Sequence, residues 1–147
     1  MSQSQQPVGQ GAGTTRRPFQ VFVADDDSEM RGLIAAILRA DGIDVSESPD
    51  GITLLEALRE AEDGPPDLLI SDIEMPRGNG LRVLASVRRS HPTLPVVLIT
   101  AFGSPEVHRE ARLLGASAVL DKPFGFAALR NLVHELLRRR VAKGPDV

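Results

Sequence analysis

Residues 66–81 read PDLLISDIEMPRGNGL. Leu68-Leu69-Ile70 is a short apolar run, Ser71 follows, and Asp72 stands where the run gives out. A short run without polar alternation fits a strand buried on both faces. Four further runs punctuate the chain: Phe19–Ala24, Ile43–Val45, Val96–Thr100 and Ala118–Leu120. Between them the spacing becomes helical. Met30, Leu33, Ile34, Ile37 and Leu38 follow an i, i+3, i+4 pattern, as do Leu54, Leu55 and Leu58, and then Leu81, Leu84 and Val87. Val107, Ala111 and Leu114 repeat it, and so do Leu129, Leu132, Val133, Leu136 and Leu137. Ser104-Pro105-Glu106 supplies an N-cap, a proline at the first helical position and an early acid, while Gly42 and Gly115 sit where helices end. Five βα units in succession predict an α/β domain, a doubly wound five-stranded parallel sheet with five helices.

In such a sheet ligands bind at the carboxyl ends of the strands. The first run is followed by Asp25-Asp26-Asp27, the third by Asp72, the fourth ends in Thr100, and the fifth leads into Asp121-Lys122-Pro123. The second ends in Glu47-Ser48, to which no role is assigned. Two carboxylates about 4 Å apart repel by roughly 4 kcal/mol at an effective dielectric of 20. Asp25, Asp26 and Asp72 therefore crowd together only with protons or a cation between them, and hard oxygen ligands with room for water suit magnesium. Lys122 adds a fixed positive charge and Thr100 a hydroxyl. Carboxylate, divalent cation, lysine and hydroxyl make a site for phosphoryl oxygens. Taken singly, each residue has a plainer reading: a helix cap for Asp25 or Asp26, a turn for Asp72, a β-branched strand end for Thr100, a solvated charge for Lys122. Their order along four strand ends argues for the joint reading.

The segments VFVADDDSEMR, PDLLISDIEMPRGNGL, VVLITA and LDKPF resemble those of the receiver domain of two-component response regulators. The resemblance spans about residues 18–140 and implies a flavodoxin-like (βα)5 fold. By position it makes Asp72 the phosphoacceptor, with Thr100 and Lys122 contacting the phosphoryl group. It gives Mg2+, with Mn2+ as a substitute, the ligands Asp25, Asp26, Asp72 and the backbone carbonyl of Glu74, and it implies a cis peptide before Pro123. The partners implied are a histidine kinase or phosphotransfer protein upstream and a protein target downstream. Three positions depart from the family: Val119 replaces a usual aromatic, Phe102 lies two residues after the hydroxyl, and Gly125 replaces a common capping Asp. A valine has one stiff χ1 and a short reach, so the signal is expected to leave through the Phe102 loop and the helix beginning at Ser104-Pro105.

Composition narrows the alternatives. A chain of 147 residues suits one domain. It has no cysteine, which excludes disulfides, thiolate metal sites and cysteine nucleophiles. A net charge of −3 and the absence of Trp and Tyr give no footprint for nucleic acid. No apolar run is long enough for a membrane span and no signal peptide opens the chain, so the expected compartment is the cytoplasm. Residues 1–17 read as a disordered tail and 141–147 as a C-terminal tail, with Arg138-Arg139-Arg140 as a solvated helix end. The three histidines, His91, His108 and His134, read as surface residues away from the site. The resulting expectation is a stand-alone phosphoacceptor signalling module, not a turnover enzyme. The alternatives are an interaction domain independent of phosphorylation and a metal-dependent phosphatase with Glu74 as its second acid.

Overall fold

A computed structural model describes residues 17–143. The expected N-terminal tail, apart from Arg17, lies outside the described residues, as does the chain beyond Lys143. The order is β1 (Gln20–Ala24), α1 (Ser28–Ala40), β2 (Asp44–Ser48), α2 (Gly51–Glu60), β3 (Leu68–Asp72), α3 (Gly80–Ser90), β4 (Val96–Thr100), α4 (Pro105–Leu113), β5 (Ala118–Asp121) and α5 (Phe126–Lys143). All strand pairs are parallel and the sheet order is β2-β1-β3-β4-β5. The chain reverses its direction of sheet growth between β1 and β3, and the crevice outside their carboxyl ends is the topological switch point where this architecture places ligands.

Alternate side chains of the central strands enter two separate cores. Val21, Val23, Leu68, Ile70, Val97 and Ile99 pack with Ile34 and Leu38 of α1 and Leu129 and Val133 of α5. Phe22, Ala24, Leu69, Val96 and Leu98 pack on the other face with Leu54, Val83, Leu84, Val87 and Ala111 from α2, α3 and α4. The apolar runs lack polar alternation because both faces are covered.

The edges depart from the sequence expectation. The second strand lies at Asp44–Ser48; it ends at Ser48 as expected, but only Asp44 and Val45 of its residues belong to the apolar run Ile43–Val45, and most of its side chains face solvent. Its position is set by backbone pairing along β1, Gln20 to Asp44 through Ala24 to Ser48, which leaves little trace in hydropathy. At the other end α5 continues past 140 to Lys143, so the helix does not stop at the arginines. Glu135 takes ion pairs from both Arg138 and Arg139, the latter at 2.8 Å. Arg140 departs from the solvated reading, since its side chain is 11% exposed and lies 3.9 Å from Asp67. Asp67 also accepts the backbone N–H of Gln20, which fixes the start of β1.

Local chemistry ends the helices as anticipated. Gly42 (φ +81°) and Gly115 (φ +101°) follow the last residues of α1 and α4 in the left-handed region. Asp41, the C-cap of α1, takes two hydrogen bonds from Arg130 and one from His134, each at 2.9 Å. Those partners hold its carboxyl down at about 2 and tie α1 to α5.

Candidate functional site

The site is built from the ends of β1, β3, β4 and β5. Asp25 is 1% exposed; its Oδ1 accepts the N–H of Asp27 at 2.9 Å. Asp27, rather than Asp25 or Asp26, caps α1, accepting the N–H groups of Glu29 and Met30. Asp26 is exposed. Asp72 closes β3 and is 4% exposed. One carboxylate oxygen from each of Asp25, Asp26 and Asp72 falls within 4.8 Å of the others. Lys122, just after β5, places Nζ 3.4 Å from Asp72 Oδ2 and 3.8 Å from Asp25 Oδ2. The Lys122–Pro123 peptide is cis.

A single lysine does not neutralise three carboxylates. Burial first, then the Asp25 charge, push the Asp72 carboxyl up to about 6, against the pull of Lys122. Burial also raises Asp25. Asp25 Oδ2 and Asp72 Oδ1 are buried without a hydrogen-bond partner. Buried polar atoms are normally satisfied. Two orphaned oxygens within an all-oxygen, acidic donor set fit a hard divalent cation.

The backbone around Asp72 is tightly constrained. A Cβ on Gly80 would lie 2.5 Å from the Asp72 carbonyl oxygen, so the N-terminus of α3 approaches Asp72 only as glycine. The loop between β3 and α3 is pinned from α2: a Cβ on Gly51 would lie 2.2 Å from the Gly78 carbonyl oxygen.

Two contacts were not legible in the sequence. The Glu74 side chain reaches β4, where Oε2 accepts the Thr100 hydroxyl at 2.6 Å and Oε1 accepts the Ala101 N–H at 3.1 Å. Thr100 is fully buried, and its oxygen accepts the Phe102 N–H at 3.0 Å. Glu47, which had no assigned role, pairs with Arg31 at 3.2 Å, and Arg31 donates to the Asp25 carbonyl at 2.6 Å. Both contacts join residues on different elements, so no local pattern announces them. Phe102 is 73% exposed, and Val119 is half-buried against the core on the α4 side. Gly125 stands just before α5, its carbonyl accepting the Leu129 N–H. No histidine touches the acidic cluster. His134 is exposed as expected, whereas the other two are half-buried: His108 pairs with Asp121 at 2.8 Å, and the Nδ1 of His91 is buried.

A five-stranded doubly wound sheet with an acidic triad, a lysine and a hydroxyl at its switch point defines a phosphoacceptor class of domain. The model of the response regulator receiver domain matches residues 21–134, and the chain belongs to that family of two-component signalling domains. It is 38% identical over 104 residues to the DNA-binding transcriptional regulator NtrC of Escherichia coli K12, covering 71% of this chain and 22% of NtrC. It is 37% identical over 121 residues to the transcriptional regulatory protein CpxR of the same strain, covering 82% of this chain and 50% of CpxR. The chain thus spans half or less of the length of these relatives. A CheY-like receiver domain from Methanospirillum hungatei JF-1 shares the fold with a TM-score of 0.80 at 22% identity, covering 86% of this chain and 99% of that one.

Proposed function

We propose that Asp72 receives a phosphoryl group from the phosphohistidine of a kinase or phosphotransfer protein, and that the change is read by a protein target. The observation that carries this is the junction of Asp72 with Lys122 at 3.4 Å beside two orphaned carboxylate oxygens. A carboxylate oxygen of Asp72 forms a bond to phosphorus as the P–N bond of the donor breaks, and the leaving imidazole keeps the electron pair. Lys122 stabilises charge on the transferring oxygens, and the end of β4 faces them with the Thr100 hydroxyl. With its carboxyl at about 6, Asp72 is mostly ionised near pH 7 and competent as nucleophile. Asp25, Asp26, Asp72 and the Glu74 carbonyl would hold Mg2+, or Mn2+, which neutralises charge on the incoming group. Hydrolysis of the aspartyl phosphate returns the resting state, which makes the chain a self-modifying acceptor rather than an enzyme acting on phosphate esters. The phosphorylation-independent alternative leaves the acidic cluster and Lys122 without a purpose.

Output through the loop after β4 is supported by the Phe102 N–H, which rests on the Thr100 hydroxyl oxygen. A shift of Thr100 therefore moves the backbone leading into α4, while Val119 stays packed. Work as a stand-alone regulator and residence in the cytoplasm are parts of the same proposal; among the described residues no helix is long and apolar enough to cross a membrane. The mass and compartment of the native protein test both. The chemistry is tested by labelling with acetyl phosphate. Asp72 should carry the label, and Asp72→Asn or EDTA should abolish it. Undiminished labelling in either control would overturn the assignment.

A further inference from the structure

The Glu74 side chain has no part in the reading above, which uses only its backbone carbonyl. Yet it leaves the loop after β3 and spans to β4, 26 residues away in sequence, rather than projecting into solvent. Its two oxygens take two donors at one place, the Thr100 hydroxyl at 2.6 Å and the Ala101 N–H at 3.1 Å. The Thr100 hydroxyl has one proton to give. That proton is committed to Glu74, while the oxygen is occupied by the Phe102 N–H at 3.0 Å. An anionic group with paired oxygens already sits on the donors at the end of β4, one residue past the pairing of Ile99 with Asp72.

We propose that the Glu74 carboxylate is a resident stand-in for phosphoryl oxygens: it holds Thr100 and Ala101 in the unmodified protein and must be expelled when Asp72 is phosphorylated. The inference rests on Asp72 being the phosphoacceptor. Two acceptors cannot share one hydroxyl proton, so gain of the phosphoryl group and release of Glu74 are one exchange. Charge acts in the same direction. Glu74 already adds to the field that disfavours ionised Asp72, and a phosphoryl group would bring further negative charge to the same mouth. Expulsion of Glu74 also gives the modified state a readout at the surface, because this side chain anchors the loop between β3 and α3 to β4. Glu74 is therefore a positioning residue that limits the rate of phosphorylation and reports its completion.

The test compares wild type, Glu74→Gln and Glu74→Ala. Glu74→Gln keeps an acceptor for Thr100 but loses the charge; Glu74→Ala loses both. Initial labelling by acetyl phosphate should be fastest in Glu74→Ala, by roughly tenfold over wild type, the effect of giving up a hydrogen bond to a charged group before the step, with Glu74→Gln between them. Deuterium exchange supplies a second readout. The Ala101 amide should exchange faster in Glu74→Ala than in wild type, and beryllofluoride, which mimics the phosphoryl group, should restore its protection. A Glu74→Ala protein that is folded yet labels no faster than wild type, or whose Ala101 amide exchanges unchanged, overturns the proposal. Wild-type protein that takes no label at all overturns the phosphoacceptor reading itself, and this inference with it.

Discussion

Asp72 and Asp25 show what burial does to single carboxyls. Both sit almost fully buried with one oxygen each that has no hydrogen-bond partner, and burial is the first cause of the upward shift in both. For Asp72 the carboxyl moves from 3.8 to about 6. The folded protein thus holds a proton that the unfolded chain releases near 3.8. The resulting stabilisation is complete below about 3.8 and is lost as pH rises through about 6. In EDTA, stability measured by urea unfolding should therefore fall from this group between pH 4.5 and 7.5. Asp72→Asn removes the ionisation and relieves repulsion on Asp25. At one pKa unit per about 1.4 kcal/mol, it should stabilise the metal-free protein at pH 7.5 by about 1–3 kcal/mol. An Asp72→Asn protein with the wild-type pH slope would show that the charge crowding has been misplaced.

At the scale of elements, two helical glycines have opposite roles. Glycine within a helix is worse than alanine by about 1 kcal/mol. In α1, Gly32 has nothing within 4 Å of where a Cβ would stand, so Gly32→Ala should raise stability by about 0.5–1 kcal/mol and leave labelling of Asp72 unchanged. In α3, Gly80 has the Asp72 carbonyl oxygen 2.5 Å from that point and the Ile73 Cα at 2.9 Å. Both obstacles are backbone, so nothing yields cheaply. Gly80 is the first residue of α3, where the interior cost of glycine does not apply, and Gly80→Ala should cost about 1–3 kcal/mol through overpacking. It should also slow labelling, since relief comes only by moving Asp72. Thermal unfolding and labelling of the pair measure both effects, and equal behaviour of the two variants would refute the steric account.

Across the whole molecule the switch point joins four strand ends, so a cation there stabilises the folded state alone. Magnesium should raise Tm with saturation, as any ligand binding only the native state does. Asp26 is the exposed member of the triad and is free to contribute without a burial penalty. Asp26→Asn should weaken the magnesium response while preserving the fold, and an undiminished response would remove Asp26 from the metal site.

The sequence by itself determined the layers and the primary site. Central strands such as Leu68–Asp72 and Val96–Thr100 must be buried on both faces, so each announces itself as an unbroken apolar run, and each ends in the residue its strand delivers to the site. Helix ends were equally legible, because Ser104, Gly42 and Gly115 act on their own neighbours. What only the tertiary structure decided is the relation between distant parts. The edge strand Asp44–Ser48 carries no apolar run past Val45, because backbone pairing with β1, not side-chain burial, selects it. The burial of Arg140 depends on Asp67, which the fold carries to it. Glu74 reads as a solvent-facing loop acid until β4 is laid beside β3, where Thr100 and Ala101 come within its reach. Hydropathy and capping are local and survive in sequence; pairing between elements exists only after the sheet has closed the distance.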